Sequence, residues 1–215
     1  MWRTLIPNSI TSASLVLGLA SIWAAFSGDL ELAAWLILWG VLLDTLDGAA
    51  ARLLNASSAL GAQLDSFADF VVFGLAPAAL IAKGADGQAA AVAFCVATAV
   101  RLARYNTTPP DPAVFVGVPT TTCGATVALC WLIFQPASML AMSLLLLGLC
   151  VLMHAPIRIA RLKPVRGRHI PNALMGLCVL MAYTLAPLRL YPEALLGMVL
   201  VAILAGTIWA PRPAA

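Results

Sequence analysis

Residues 31–53 read ELAAWLILWGVLLDTLDGAAARL and residues 62–84 read AQLDSFADFVVFGLAPAALIAKG, two apolar stretches that carry four aspartates between them. A membrane-spanning helix needs about 20 predominantly apolar residues, so each stretch is long enough to cross a bilayer. A charge inside the bilayer costs at least about 2.5 kcal/mol and marks a functional site by default. These stretches therefore predict two neighbouring membrane helices with a site between them.

The whole chain has the composition of a membrane protein. Of its 215 residues, 62% are hydrophobic and 10% are charged, whereas a soluble domain carries roughly 25% charged residues. We predict eight membrane helices, because six further apolar segments lie at 9–28, 87–105, 117–134, 138–155, 170–186 and 193–210. No linker, low-complexity tract or repeat divides the sequence. We therefore expect one domain over residues 1–215, an all-α polytopic helix bundle.

The positions of the cations indicate how these helices are oriented. Cytoplasmic loops are enriched in Lys and Arg. With eight helices and a cytoplasmic N-terminus, ten of the twelve Lys and Arg residues fall on the cytoplasmic side, and only Lys83 and Arg189 fall outside. A cleaved signal peptide is the alternative for the first segment, but that run is long enough to span. We expect both termini in the cytoplasm.

The spacing of the four aspartates places them on shared helix faces. Asp44 and Asp47 are three residues apart, and Asp65 and Asp69 are four apart, so each pair lies on one face of its helix. Consecutive helices joined by a short turn are antiparallel neighbours, so the pairs can face each other. Carboxylates gathered in a low-dielectric pocket repel one another, and divalent cations relieve the repulsion. The ligand type favours two Mg²⁺ or Mn²⁺ ions, with Ca²⁺ as an alternative occupant, in the arrangement usual for displacement at phosphorus.

Small residues and one arginine lie beside these acids. Gly48 lies one helical turn beyond Asp44, and Ala51 lies one turn beyond Asp47, which leaves room for a ligand. Arg52 adds a permanent cation whose forked geometry suits phosphate. In the alternative interpretation the acids pair with arginines or relay protons, but only Arg52 is close in sequence, so three charges would lack a local partner.

Residues 44–69 read D-x2-D-G-x2-A-R-x8-G-x3-D-x3-D, a pattern that resembles the signature of the CDP-alcohol phosphotransferase family. The resemblance implies a dimeric core of about six membrane helices whose site opens to the cytoplasm, so eight helices would be that core plus two. It implies that Asp44, Asp47 and Asp65 bind metal. It implies that Asp69 binds the second metal and deprotonates the acceptor hydroxyl. It also implies contacts to a CDP-lipid donor from Gly48, Ala51, Arg52, Ser58 and Gly61.

The N-terminal Pro7-Asn8-Ser-Ile-Thr11 resembles an element of the same family that approaches the nucleotide. This resemblance adds Asn8 and Thr11 to the expected donor site. An ordinary helix cap is the alternative for Asn8, because Asn before an apolar run is a common cap.

Sequence outside the signature narrows the expected acceptor. Three stretches are similar to phosphatidylserine synthases: DSFADFVVFGLAPA at 65–78, RLARYN at 101–106 and FVGVP at 115–119. We therefore expect CDP-diacylglycerol as donor, L-serine as acceptor, and Arg101 and Arg104 as candidate acceptor ligands. Both arginines have an alternative role as anchors at the cytoplasmic membrane surface. Val72 and the run that begins at Thr120 depart from the synthase pattern, which puts serine in question.

Other functions remain open from the sequence. A sibling enzyme would use glycerol phosphate, inositol, inositol phosphate or choline. A membrane prenyltransferase also holds metals on aspartates, but the pattern of Gly48, Ala51 and Arg52 favours a nucleotide donor. A cation transporter is a further alternative, although transporters often carry broken helices in repeated halves. We expect a homodimer in the bacterial inner membrane, among membrane lipids, with a cytoplasmic site and no nucleic-acid partner.

Overall fold

The computed structural model describes residues 2–56, 58–82, 84–108, 114–135, 138–160 and 192–208. These residues are mostly helical. The helices within them are α1 (Trp2–Ser27), α2 (Leu30–Leu53), α3 (Ala59–Ile81), α4 (Gly84–Thr107), α5 (Thr120–Phe134), α6 (Met139–His154) and α7 (Pro192–Ile208). The predicted helix bundle is confirmed at this level.

Three helices in the described part of the chain are long and apolar enough to cross a membrane: Thr4–Ser27, Leu30–Leu53 and Ala59–Ile81. The apolar helices Thr120–Phe134, Met139–His154 and Pro192–Ala205 are shorter. The count of eight spans therefore stays a prediction, and the predicted segment 170–186 lies outside the described residues. α1 begins at Trp2 rather than at residue 9, and the part of it that is apolar enough to cross a membrane begins at Thr4.

Helices α1 and α2 form an antiparallel hairpin and pack against each other along their length. Gly28 makes the turn with a φ of 90°, a conformation that costs glycine little. Asp29 then caps α2, because its side chain accepts a hydrogen bond of 3.0 Å from the Leu32 N–H. Helix α3 packs on α1, so the first three helices form one unit.

Helix α3 changes its winding directly after Asp69. It is α-helical over Ala59–Phe70 and Ala76–Ile81, with a π-helical turn over Val71–Leu75 between them. Val72, which is fully buried, packs against Gly18 of α1 and Gly40 of α2, and a Cβ at Gly18 would lie 2.8 Å from its Cγ2. These close contacts fix the position of α3 along the axes of α1 and α2.

A short β pairing adds to the predicted helix bundle. In the described part of the chain, β1 (Val114–Val116) pairs antiparallel with β2 (Arg158–Ala160). The predicted helix over 117–134 begins only at Thr120, since Gly117 has a φ of 76° and Pro119 caps the helix. Three-residue strands from distant parts of the chain are too short for periodicity to reveal.

Candidate functional site

Three aspartates from α2 and α3 converge. Carboxylate oxygens of Asp44, Asp47 and Asp65, one from each residue, lie within 4.8 Å of one another. Mg²⁺ binds oxygen at about 2.1 Å and Ca²⁺ at about 2.3–2.6 Å, so ligands on opposite sides of one ion lie about 4–5 Å apart. These three carboxylates therefore fit a shared divalent ion in both spacing and donor chemistry.

The fourth predicted ligand, Asp69, adjoins this group. Its side chain makes a hydrogen-bonding contact with that of Asp44, and it lies one helical turn beyond Asp65 on α3. The structure thus brings all four carboxyl groups together, as the spacing predicts. Their roles as ligands, and the role of Asp69 as a base, stay predictions.

Asp47 is held from α1. Thr11 Oγ1 donates a hydrogen bond of 2.6 Å to Asp47 Oδ2, and both side chains are buried. The same hydroxyl lies 3.0 Å from the Pro7 carbonyl of its own helix. Thr11 is predicted to contact the donor, and its contact with an expected metal ligand is an addition that spacing alone does not reveal.

A cavity of about 170 Å³ opens beside the aspartates, where α1, α2 and α3 meet. Asp47 and Asp65 contribute to its wall. Six of the seven residues predicted to contact the donor also line it: Asn8, Thr11, Gly48, Ala51, Ser58 and Gly61. Pro7, which begins the Pro7–Thr11 element, lines the cavity as well, as do Ala56 and Ala62. The two alanines are not predicted from the sequence, since alanine is common at helix ends without any ligand.

The seventh predicted donor residue, Arg52, is exposed at the end of α2. Its guanidinium lies over Gly48, where a Cβ would be 3.3 Å from Arg52 Nη1. A larger residue at 48 would push this cation away from the rim of the cavity.

Gly61 lets α3 approach α1 closely. A Cβ there would lie 2.9 Å from Asn8 Oδ1 and 3.1 Å from Ser58 Oγ. Ser58 caps α3, since its Oγ accepts a hydrogen bond of 3.0 Å from the Gly61 N–H. Asn8 lies inside α1 rather than before it, so the alternative that Asn8 is the N-cap of the first helix is wrong.

The two candidate acceptor ligands have different surroundings. Arg101 is partly buried, its Nη1 lies 3.4 Å from Thr120 Oγ1, and it interacts electrostatically with Asp69. Within the described residues, its Nε is buried without a hydrogen-bond partner. Arg104, one turn further along α4, is exposed. The structure thus places Arg101 beside the aspartates and Arg104 at the surface.

Comparison with known proteins agrees with this geometry. The model of the CDP-alcohol phosphatidyltransferase family matches residues 4–155. A CDP-diacylglycerol–serine O-phosphatidyltransferase from Helicobacter pylori is 41% identical over 138 residues, which cover 60% of this chain and 58% of that protein. The enzyme of the same name from Bacillus subtilis is 32% identical over 151 residues, 67% of this chain and 82% of that protein.

A Mycobacterium tuberculosis protein of the same name is 37% identical over 127 residues, 54% of this chain and 44% of its own length. The chain thus spans less than two thirds of the Helicobacter and Mycobacterium relatives and most of the Bacillus protein. The resemblance drawn from residues 44–69 is confirmed. The chain belongs to the CDP-alcohol phosphatidyltransferase family.

Proposed function

We propose that this protein transfers a phosphatidyl group from CDP-diacylglycerol to an alcohol, L-serine, and releases CMP. The observation that carries the proposal is the group formed by Asp44, Asp47 and Asp65, with Asp69 beside it and a cavity adjoining it. Relatives 32–41% identical are named CDP-diacylglycerol–serine O-phosphatidyltransferases, which supports serine as the acceptor.

The four aspartates would hold two divalent ions, Mg²⁺ or Mn²⁺. When bound, such ions neutralise a diphosphate and the charge that develops on its leaving group. Thr11 keeps the Asp47 carboxylate directed into the site through their 2.6 Å hydrogen bond. A partner of this kind is usually important for metal affinity, because it orients the ligand before the ion arrives.

The cavity lined by α1, α2 and α3 would receive the CDP part of the donor. Its volume of about 170 Å³ is below the roughly 300 Å³ of a typical small-molecule pocket, so it suits part of the nucleotide while the acyl chains stay in lipid. Gly48 and Gly61 bring backbone close to this space, and Arg52 places a cation at its rim. The guanidinium fork is well suited to a phosphate oxygen.

Asp69 would act as the general base. It interacts both with the other carboxylates and with Arg101, so an acceptor bound near Arg101 would present its hydroxyl to Asp69. The proton passes to Asp69 as the acceptor oxygen bonds to the phosphorus that bears diacylglycerol. The bond from that phosphorus to the oxygen of the CMP phosphate breaks, and CMP leaves.

We also propose the setting of this reaction. Arg52, Arg101 and Arg104 lie near the same helix ends as the aspartates, and such clustering of cations is typical of the cytoplasmic side of a membrane. This supports a site that faces the cytoplasm of a bacterial inner membrane. A single domain over residues 1–215 and a homodimer rest on the sequence and the family resemblance.

The experiment supplies purified protein with CDP-diacylglycerol, Mg²⁺ or Mn²⁺, and one acceptor per reaction. We expect serine to release CMP and yield phosphatidylserine. If CMP is released only with glycerol phosphate, inositol, inositol phosphate or choline, that compound is the acceptor and serine is not. Inhibition by prenyl diphosphates but not by CDP would indicate a prenyltransferase, and metal flux in proteoliposomes without CMP would indicate a transporter.

A further inference from the structure

Thr120 is a buried hydroxyl that faces an arginine from another helix. It is the first residue of α5 and is 2% exposed. Its Oγ1 lies 3.4 Å from Nη1 of Arg101, which belongs to the last third of α4. The Cys123 thiol, one turn further along α5, also lies near Arg101. The start of α5 therefore borders one side of the guanidinium.

Asp69 borders the guanidinium from another helix. Asp69 interacts electrostatically with Arg101, and it belongs to the aspartate group on α2 and α3. Arg101 thus interacts with a neutral hydroxyl and with the carboxyl proposed to receive the acceptor proton. A molecule that places a hydroxyl at Asp69 therefore also experiences the positive charge of the guanidinium.

The Arg101 guanidinium has a hydrogen-bond donor that lacks an acceptor in the described part of the chain. It carries five N–H groups, of which Thr120 accepts one. In the described part of the chain its Nε is buried and lacks a partner. A buried donor without an acceptor is costly, and a carboxylate or phosphate can accept two parallel hydrogen bonds from one guanidinium.

Thr120 is suited to fix the direction of this group. Threonine is branched at Cβ, which restricts its χ1 angle and therefore the position of its hydroxyl. The hydroxyl is neutral, so it can hold the guanidinium without neutralising it. A carboxylate in the same place would pair with Arg101 and remove its attraction for an anionic ligand.

We propose that Thr120 is a positioning residue that directs Arg101 toward Asp69, so that the site selects alcohols carrying an anionic group near the hydroxyl. The inference rests on the proposed function and sharpens its acceptor, since serine carries a carboxylate and glycerol phosphate a phosphate. Inositol and choline carry no anionic group. Arg101 binds the anion, whereas Thr120 acts through Arg101.

The test compares wild type with Thr120→Val, Thr120→Ser and Arg101→Lys as full-length purified protein. The acceptors are serine and serinamide, in which an uncharged carboxamide replaces the carboxylate, and then glycerol phosphate and glycerol. Thr126→Val is the matched control, because it removes a threonine hydroxyl from the same helix that bonds only the Thr122 carbonyl one turn back in the described structure. The measured quantities are kcat and KM for each acceptor.

We expect Thr120→Val to raise KM for the anionic acceptor about fivefold, with kcat changed less than about twofold, as for one lost hydrogen bond. Thr120→Ser should restore KM, and Thr126→Val should leave it unchanged. Arg101→Lys should raise KM about 30-fold, because the ammonium cannot form the paired hydrogen bonds. Neither Thr120→Val nor Arg101→Lys should alter KM for serinamide or glycerol, which carry no anionic group.

Several results would overturn this inference. Thr120→Val could raise KM equally for serine and serinamide, or lower kcat for both, which would show a structural role only. Wild type could release CMP with choline or inositol and with no anionic acceptor, which would contradict the selectivity while leaving phosphatidyl transfer intact. Wild type that releases no CMP with any acceptor would contradict the proposed function and this inference with it.

Discussion

The proposed donor side and the proposed acceptor side of the site are built differently. On the donor side, α1, α2 and α3 surround a cavity with carboxylates, small residues and a serine cap. On the acceptor side, Arg101 of α4 meets Thr120 at the start of α5. The donor side uses many short side chains held by close helix packing, whereas the acceptor side depends on one long cation and its support. Substitutions should therefore separate the two sides cleanly in kinetic measurements.

Asp69 interacts with residues of both sides, the other aspartates and Arg101, so its substitution should have the largest effect. Asp69→Asn removes the proposed base and is expected to lower kcat by about 1000-fold, while binding of CDP is largely retained. CMP release and CDP binding measure these two quantities. Asp29→Asn is the control, because Asn caps a helix about as well as Asp and Asp29 is exposed at the other end of α2. If Asp69→Asn kept more than about a tenth of wild-type turnover, Asp69 would not be the general base.

Thr11 tests whether the donor side depends on an oriented metal ligand. Thr11→Val removes the hydrogen bond to Asp47, and the loss of such a partner typically costs about tenfold or more in metal affinity. The Mg²⁺ concentration needed for half-maximal activity should rise by about tenfold, with KM for serine unchanged. Ser12→Ala is the neighbouring control, since its exposed hydroxyl bonds the Asn8 carbonyl of its own helix. An unchanged Mg²⁺ requirement would show that the hydrogen bond from Thr11 to Asp47 does not contribute to metal affinity.

Gly61 tests the cavity by itself. Gly61→Ala places a methyl group 2.9 Å from Asn8 Oδ1, and the end of that side chain can swing aside without disturbing the backbone. We expect KM for CDP-diacylglycerol to rise about fivefold through the lost contact, with KM for serine constant. Gly148→Ala in α6 is the control, because a Cβ there meets nothing within 4 Å. A rise in the acceptor KM instead would contradict the division between the two sides.

Arg104 should give the smallest effect. It is exposed in the last turn of α4, so Arg104→Gln is expected to change KM for serine by less than about twofold, in line with the small contribution of exposed charges. The same assay on Arg101→Lys provides the contrast. A large effect of Arg104→Gln on KM for serine would indicate that both arginines bind the acceptor, as the sequence alone allows.

The features that can be predicted from the sequence are those whose chemistry is local. The spacing of Asp44, Asp47, Asp65 and Asp69 on two consecutive helices predicts that they meet, and the structure brings them together. Contacts between residues that are distant in sequence cannot be predicted in this way. The hydrogen bond from Thr11 to Asp47 spans 36 positions, and the β1–β2 pairing joins three-residue segments. Neither leaves a periodic signal.

The difference between Arg101 and Arg104 was also invisible in the sequence. The two residues lie three positions apart, so helical periodicity places them on adjoining parts of one surface. The packing of α5 decides which of them is enclosed, since Thr120 contacts Arg101. The start of α1 was misplaced for a related reason: hydropathy marks the part of a helix that enters lipid and does not show where hydrogen bonding begins.

The wide turn over Val71–Leu75 divides α3 into two parts with separate tasks. Before it, Ala59–Phe70 buries only Ala68 among its described side chains and presents Asp65 and Asp69. After it, nearly every residue to Ile81 is enclosed by neighbouring helices. A π turn accommodates one residue more than an α turn and is frequent near functional sites. The extra residue changes which side chains face the neighbouring helices. The first half of α3 can therefore direct its aspartates into the site, while the second half directs its apolar side chains into the packed core.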